Sequence, residues 1–367
     1  MNLSQQTKRF LASKHQQDTS SFHHTIPYIP TNTIPVLLAM LVNASSLVLS
    51  NSPTLLSQQI ILGLNTLGLG ISLVQPHSHY HVDLLGTGAF ALSTIPSLLS
   101  NKVPSRVTWT SAAVATWSVK LAAYLFYRVL HRGSDSRMDE IMENPVYCAG
   151  FWSYSALWGI LCSLPYSLGL ASASPGNPLL VKAGLGLFGL GLGIETAADY
   201  QKWQHKQTNP NDFCQNGVWA LSQHPNYFGN LVLWLGILVS NASVLYVPPT
   251  MANPTAWQKI WAFRRWALAL VGPAFMWRLF DSQARGILLS ESFEAQRKKF
   301  GYGTNPEYTK YIDGGYRLCN CCCCGCLGAS LFVDALFSLP IYINHTETPL
   351  IIPIPSLKWF QQSKKSD

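Results

Sequence analysis

Apolar stretches long enough to cross a bilayer recur along the chain, and they restrict the fold more than any other feature. A helix needs about 20 residues to span a hydrocarbon core of roughly 30 Å. Because lipid offers the backbone no hydrogen-bond partner, such stretches fold as α-helices. The sequence therefore predicts an all-α, polytopic transmembrane helix bundle of about eight spans: Ile34–Ser50, Leu55–Val74, Val82–Leu99, Val107–Leu130, Tyr147–Leu170, Leu179–Ala198, Phe228–Val247 and Trp261–Phe280.

The composition agrees with a protein that exposes much of its surface to lipid. Charged residues make up 11% of the 367 positions, against roughly 25% in an average soluble protein. The net charge of +8 is spread over short segments between the apolar stretches. That distribution is typical of loops beside anionic headgroups and not of a nucleic-acid-binding face. The lipid bilayer is therefore an expected partner and nucleic acid is not, while the oligomeric state is left open.

The distribution of basic residues predicts the orientation through the positive-inside rule. Both termini are expected in the cytosol, because basic residues follow alternate spans: Arg132, Arg137, Lys202, Lys206, Arg285 and Arg297–Lys299. Four residues run against this pattern: Lys102, Arg106, Arg264 and Arg265. The chain ends in Lys364-Lys365-Ser366-Asp367, which resembles the dilysine retrieval signal of the endoplasmic reticulum. A multi-pass protein of that membrane is expected; an organellar membrane is the alternative, because the first thirty residues are rich in Ser and Thr.

The sequence divides into four segments by composition. A polar N-terminal tail (1–33) precedes the transmembrane domain (34–313), and a Cys-rich insertion (314–347) and a Pro-rich tail (348–367) follow it. Six cysteines crowd into Cys319–Cys326 without the two-residue spacers of a zinc site, so no metal site is predicted. A non-functional insertion and palmitoylation beside the membrane are the two readings that remain.

The first polar segment lies at the end of the sixth predicted span. Glu195, Asp199 and Lys202 stand at i, i+4 and i+7, which places them on one helix face. A charge within the bilayer is costly, so such residues line a cavity or reach the interface. An intrahelical ladder of ion pairs and a cavity wall for a charged cofactor are both compatible with the spacing. Upstream, a glycine series predicts close contact with another helix: Gly184, Gly186, Gly189, Gly191 and Gly193.

The second polar segment runs from Gly217 to Asn230 and opens the seventh predicted span. Pro225 suits the first turn of a helix. The free N–H groups of that helix start can bind phosphate or carboxylate. His224 and Asn226 flank Pro225, and Tyr227 and Asn230 follow within the next turn.

Together, these two segments resemble the steroid 5-alpha-reductase-like family of multi-span membrane proteins. Members typically carry Glu-x-x-Ala-Asp-x-Gln-Lys, then Asn-Pro, then Gly-Leu-Trp-x-x-Ser-Arg-His-Pro-Asn-Tyr-Phe-Gly-Glu. The counterparts are Glu195–Lys202, Asn209-Pro210 and Gly217–Asn230. The resemblance covers about residues 80 to 312 and includes further matching positions: Trp117-Ser-Val-Lys120-Leu-Ala, Arg128, Asp135-Ser-Arg137, Glu291, Tyr308 and Tyr311.

The resemblance implies NADPH-dependent reduction of a carbon–carbon double bond conjugated to a carbonyl. The substrate would be a hydrophobic small molecule such as a steroid or another lipid enone. The residues that match the motif, and so are expected to bind the cofactor, are Glu195, Asp199, Lys202, His224, Asn226, Tyr227, Asn230 and Glu291. The Glu/Tyr pair that serves as proton donor in the reductases has no direct counterpart, and the catalytic candidates near its place are Lys120, Tyr124 and Asp83.

Two departures from the motif keep other functions open. Gln223 replaces the arginine before His-Pro, and Asn230 replaces the glutamate after Phe-Gly, so two charges are lost. One alternative is a membrane S-adenosylmethionine-dependent methyltransferase of the isoprenylcysteine or phospholipid type, whose tail resembles Phe300-Gly301 with Tyr308 and Tyr311. The other is a non-enzymatic membrane scaffold or lipid-binding protein.

Overall fold

A computed structural model describes residues 52–76, 80–132, 136–222, 224–284 and 297–313, and these ranges contain helices and no strand. Most of the helices start at a residue with a clear local signal, such as Pro in the first turn or an Asn side chain that caps free N–H groups. The helices are α1 (Pro53–Val74), α2 (Tyr80–Gly86), α3 (Gly88–Leu98), α4 (Ser105–Arg132), α5 (Ser136–Glu143), α6 (Pro145–Leu170), α7 (Pro178–Thr208), α8 (Pro225–Leu245), α9 (Ala256–Trp261), α10 (Arg264–Ala284) and α11 (Pro306–Asp313).

The long helices run in alternating directions, as interhelical hydrogen bonds at their ends demonstrate. Thr54, at the start of α1, donates through Oγ1 to the carbonyl of Ser167 near the end of α6 at 2.7 Å. Asn177, which caps α7, donates through its N–H to Ser243 Oγ near the end of α8 at 2.9 Å. We call the end of the bundle that holds the loop 209–224 the proximal end, and the end that holds the loops 171–177 and 246–255 the distal end.

Three of the described helices are long and apolar enough to cross a membrane: α1, α7 and α8. They identify the chain as a membrane protein. The count of eight spans and the cytosolic position of both termini remain predictions. The first predicted span (Ile34–Ser50), both terminal tails and the Cys-rich insertion with Cys319–Cys326 lie outside the described residues.

The predicted span Val82–Leu99 is wrong as a single helix, because the chain breaks at Thr87 into α2 and α3. The hydroxyl of Ser118 on α4 causes the break. It donates to the Thr87 carbonyl at 2.7 Å and accepts from the Ala91 N–H at 2.9 Å. A side chain thus replaces the helical hydrogen bond between residues 87 and 91, which is a recognised cause of a kink.

The α7 and α8 backbones touch along a seam of four glycines. Gly184 and Gly191 of α7 face Gly236 and Gly229 of α8. A Cβ atom added to Gly184 would lie 2.5 Å from the Gly236 carbonyl oxygen, and one added to Gly229 would lie 2.6 Å from the Gly191 carbonyl oxygen. The predicted close contact is therefore confirmed for Gly184 and Gly191. The other three members of the series, Gly186, Gly189 and Gly193, have no neighbour that an added Cβ would meet.

The position of Arg106 explains why this basic residue departs from the positive-inside rule. It is buried at the start of α4, where its guanidinium donates to the carbonyls of Gly169, Ser172 and Ser174 and to the side chain of Asn241. A cation at a helix C-terminus is favourable, because the last carbonyls carry partial negative charge. Arg106 therefore caps α6 and is not a charge presented to the aqueous side of the membrane.

An aromatic core lies beside the glycine seam. Phe90 contacts Trp117 and Trp158 edge to face, with ring centroids 5.2 and 5.0 Å apart, and Trp117 contacts Trp234 at 5.2 Å. Edge-to-face contacts of this kind add roughly 0.5–1.5 kcal/mol to the burial of the rings. The core joins α3, α4, α6 and α8 around the polar residues described below.

The seam predicts opposite effects for two alanine substitutions one half-turn apart. Gly191→Ala should destabilise the protein by about 1–3 kcal/mol, since the new methyl group meets the α8 backbone. Gly189→Ala, on the open side of the same helix, should leave stability unchanged or raise it slightly, by up to about 1 kcal/mol. Thermal unfolding of the purified variants measures both effects. Equal melting temperatures for the two variants would contradict the seam.

Candidate functional site

Lys120 of α4 lies between the two carboxylates of α7. Its Nζ is 3.1 Å from Glu195 Oε1 and 2.7 Å from Asp199 Oδ2. The side chain of Glu195 is only 3% exposed, that of Asp199 13% and that of Lys120 21%. Glu195 and Asp199 are one turn apart on α7, so a single cation from the neighbouring helix reaches both.

The second carboxylate oxygen of Glu195 is held from two other directions. Trp117 Nε1, on α4, donates to Glu195 Oε2 at 3.1 Å, and Asn230 Nδ2, on α8, donates to the same oxygen at 2.9 Å. Gly229 lies against the backbone of Glu195, so the seam brings Asn230 within reach of the carboxylate. Three helices thus meet at one buried carboxylate, which is fully supplied with donors as a buried charge requires.

The structure shows how the carboxylates of Glu195 and Asp199 are paired. Both carboxylates pair with Lys120 of a different helix, and Lys202 holds its Nζ 4.9 Å from the centroid of the Trp219 ring. The three residues do share a helix face, as predicted. The ion pairs of both carboxylates with Lys120 join two helices, and the charge of Lys202 also acts on Asp199 along α7.

The catalytic candidates on α4 and α2 lie around this cluster at different distances. Tyr124 is one turn from Lys120, and its ring centroid is 5.8 Å from Lys120 Nζ. Asp83, on α2, is within the electrostatic influence of Arg128, which also acts on Asp199. In the sequence, Arg128 is only a matching position of the family motif. Its spacing of eight residues from Lys120, however, indicates that it lies on the same face of α4.

The first three turns of α8 carry unpaired polar atoms toward the interior. Asn226, Asn230 and Trp234 follow one another at intervals of four residues, so they line one face. Asn226 Oδ1, Asn230 Oδ1 and Trp234 Nε1 are buried, and none has a hydrogen-bond partner among the described residues. Buried polar atoms are nearly always hydrogen-bonded in folded proteins. This stripe therefore suits a ligand that offers both donors and acceptors.

His224 and Tyr227 stack on each other at the start of α8. Their ring centroids are 5.2 Å apart with planes at 8°, and Tyr227 stacks in turn on Phe280 of α10 at 4.5 Å. Burial, together with the nearby charge of Lys202, lowers the pKa of His224 to about 4. The imidazole is therefore neutral at physiological pH and does not contribute a positive charge to the site.

The proximal loop is fixed on the end of α7 by side chains from three segments. Trp219 Nε1 donates to the Ala198 carbonyl at 2.9 Å, and Tyr311 of α11 donates through its hydroxyl to the Trp219 carbonyl at 3.1 Å. Tyr308 and Tyr311 pack on Phe213. Two residues of the predicted motif, Gln223 and Glu291, lie outside the described residues.

Comparison with known families gives one match, which covers residues 70–312 and includes every contact described in this cluster. The family is described as Protein of unknown function (DUF1295). The chain belongs to the DUF1295 family. No curated protein and no solved structure matches it.

Lys120 is expected to be the residue on which the stability of this DUF1295 site depends. Lys120→Met should destabilise the fold by roughly 3–5 kcal/mol, because two buried carboxylates lose their cation. Adding Glu195→Gln and Asp199→Asn to that variant should restore much of the loss, since the charges that needed Lys120 are then absent. Melting temperatures of the single and triple variants test this. A triple variant no more stable than Lys120→Met would contradict the pairing.

The lowered pKa of His224 makes the stability of the DUF1295 protein fall as the pH is lowered. The folded pKa of about 4 lies below the ordinary value of about 6.5, so the unfolded chain binds the proton more readily. The contribution of His224 to stability is complete above pH 6.5 and is lost as the pH falls toward 4. The difference in stability between the parent and His224→Gln should therefore shrink over this range. A difference that does not change with pH would contradict the lowered pKa.

Proposed function

We propose that the chain is a membrane-embedded, NADPH-dependent reductase of a conjugated carbon–carbon double bond in a lipid enone, of the steroid 5-alpha-reductase type. The observation that carries the proposal is the juxtaposition of two polar features on neighbouring helices. One is the buried cluster of Lys120, Glu195 and Asp199. The other is the stripe of unpaired atoms on α8, which begins at the proximal end and continues to Asn230 within the same cluster.

The unpaired atoms of the stripe fit the carboxamide of a nicotinamide ring. A carboxamide offers two N–H donors and one carbonyl acceptor. Asn230 Oδ1 can accept from it, and Trp234 Nε1, one turn further along α8, can donate to it. Asn226 Oδ1 lies one turn nearer the proximal end, where the ribose and diphosphate of the cofactor would follow. The match of donors and acceptors supports NADPH as the cofactor.

Charges at the proximal end favour the phosphates of the same cofactor. His224 is neutral because of its lowered pKa, so phosphate binding falls to Lys202 and Arg128. Lys202 is exposed on the face of Trp219, and the α8 helix starts beside it with free N–H groups. In this proposal, Tyr227 supports the site by stacking on His224 and Phe280 and does not itself cover the cofactor.

The chain's own residues contribute positioning, charge and exclusion of water. NADPH, when bound, supplies a hydride for the β-carbon of the enone. Lys120, fixed between Glu195 and Asp199, would stabilise negative charge on the substrate oxygen. The hydroxyl of Tyr124 would donate the proton that the α-carbon gains as the carbon–carbon double bond is lost. The aromatic core beside the cluster excludes water, which strengthens these electrostatic interactions.

The asparagine at position 230 is compatible with a site that has kept its function. Its Nδ2 donates to Glu195 Oε2, whereas a glutamate at this position would place a second carboxylate beside the first. Since like charges in a buried site repel, the asparagine is compatible with an ionised Glu195. The replacement of the family's glutamate therefore gives no reason to prefer a non-enzymatic scaffold. The endoplasmic reticulum membrane, with the proximal end toward the cytosol, is the proposed location.

The ionic part of the site is tested by two isosteric or near-isosteric variants. Asp199→Asn should weaken NADPH binding by about ten- to a hundredfold, because in this proposal the Asp199 carboxylate also accepts a hydrogen bond from the ribose of the cofactor. Lys202→Gln should weaken NADPH more than NADH, since the lost charge faces the additional phosphate. Lys182→Gln, on the distal end of the same helix, is the matched control and should bind like the parent. If Lys202→Gln lost equal affinity for NADPH and NADH, Lys202 would not be part of the phosphate site.

The stripe on α8 is tested by a variant that separates binding from stability. Asn226→Leu removes an amide whose Oδ1 is buried without a partner, so the free energy of unfolding should stay the same or rise. Binding of NADPH should nevertheless weaken by about tenfold or more. Titration of NADPH fluorescence and a melting curve on the same sample measure both. Parental affinity in Asn226→Leu would exclude the stripe from the cofactor site.

A further inference from the structure

We propose that the distal end of the bundle binds the phosphate of an anionic lipid through a short interfacial helix. The helix is α9, with the residues that follow it up to Arg265. This surface is at the opposite end from the proposed cofactor site and does not depend on it. It also contains two of the basic residues that run against the orientation rule, Arg264 and Arg265.

The start of α9 is capped by its own side chains, and its end is bonded to the segment that follows α8. At its start, Thr255 and Gln258 form a capping box in which each side chain bonds the other's backbone N–H. At its end, the Ala262 carbonyl accepts from the Val247 N–H, just beyond α8, at 3.0 Å. Ala262 is buried, so one side of the segment packs on the protein.

The other side of α9 presents large apolar residues outward. Trp257 is 67% exposed, Ile260 63% and Trp261 56%, and Phe263 is exposed beside them. Trp257 and Trp261 stack with their ring centroids 6.2 Å apart. Exposed Trp and Ile on a short helix at the end of a transmembrane bundle are typical of a segment that lies at the headgroup boundary, with its apolar face toward the acyl chains.

Cations accompany these rings, and no acidic residue in the surrounding sequence neutralises them. Lys259 is exposed on α9, and the guanidinium of Arg264 lies 5.7 Å from the Trp261 ring while its Nη1 donates to the Trp261 carbonyl at 3.0 Å. No Asp or Glu occurs between Asp212 and Asp281, and the other distal loops, 99–104 and 171–177, contain none. The described residues of this end therefore supply no complementary negative charge, and an anion from outside can supply it.

A lipid phosphate fits this surface better than a dissolved anion does. The apolar rings and the cations occupy one short segment, so one ligand that has both acyl chains and a negative headgroup satisfies both. Amphipathic helices bind anionic membranes through this combination of apolar burial and charge. Each cation near an anionic surface contributes about a fivefold gain in affinity, so three give about a hundredfold.

Native mass spectrometry of the purified full chain with phosphatidylglycerol or phosphatidylcholine tests the proposal. The parent should retain phosphatidylglycerol preferentially. The triple variant Lys259→Gln, Arg264→Gln, Arg265→Gln should lose about a hundredfold in affinity for it, with phosphatidylcholine unchanged. A control triple variant at the proximal end, Lys298→Gln, Lys299→Gln, Lys310→Gln, should behave like the parent.

Single substitutions keep the test decisive if the triple variant does not fold, because Lys259 is exposed. Lys259→Gln should lower the affinity for phosphatidylglycerol about fivefold, and Lys259→Glu should lower it further. Parental retention of phosphatidylglycerol in the Lys259 variants, or equal loss in the proximal control, overturns the proposal. So does protection of the parent against thermal unfolding by inorganic phosphate alone to the same extent as by phosphatidylglycerol, since the ligand would then be a dissolved anion.

Discussion

The close approach of α7 and α8 is the constraint on which the rest of the structure depends. Four glycines remove the side chains that would keep the two backbones apart, and the seam ends at Gly229, beside the backbone of Glu195. Because lipid gives helices little hydrophobic reason to associate, small residues and buried polar contacts decide how membrane helices pack. The same contact that holds α7 to α8 therefore brings Asn230 to the Glu195 carboxylate. In this protein, the glycine seam between α7 and α8 thus determines both the packing of the helices and the geometry of the polar site.

The polar cluster is consistent with the energetics of charge in a membrane protein. Two carboxylates on α7 would be too costly inside the bundle without a cation. Lys120 comes from α4 and neutralises part of that charge, while Trp117 and Asn230 supply the remaining hydrogen bonds to Glu195. Beside this cluster, three buried atoms on α8 have no partner among the described residues: Asn226 Oδ1, Asn230 Oδ1 and Trp234 Nε1. The proposed function rests on them, because they lie on the same helix face as the contact between Asn230 and Glu195.

Local sequence patterns predicted the positions of the helices better than they predicted which residues of different helices contact each other. Apolar length located α1, α7 and α8, and helical spacing placed Glu195 and Asp199 on one face. The partner of these carboxylates could not be read from local sequence, because Lys120 is 75 residues before Glu195 and only packing brings the two together. The break at Thr87 was missed for the same reason, since its cause is a hydroxyl 31 residues further along. The helix spacing also anticipated that α7 continues past the apolar stretch through Lys202, and α7 ends at Thr208.

Equilibrium binding of NADPH and of S-adenosylmethionine to the purified full chain tests the central claim most directly, and it needs no knowledge of the substrate. A ligand that pairs with Asn230 and Trp234 and extends to Lys202 should show saturable binding, with competition by NADP⁺. We expect this behaviour for NADPH and no saturable binding of S-adenosylmethionine. Saturable binding of S-adenosylmethionine, or a folded protein that binds no NADPH, would contradict it.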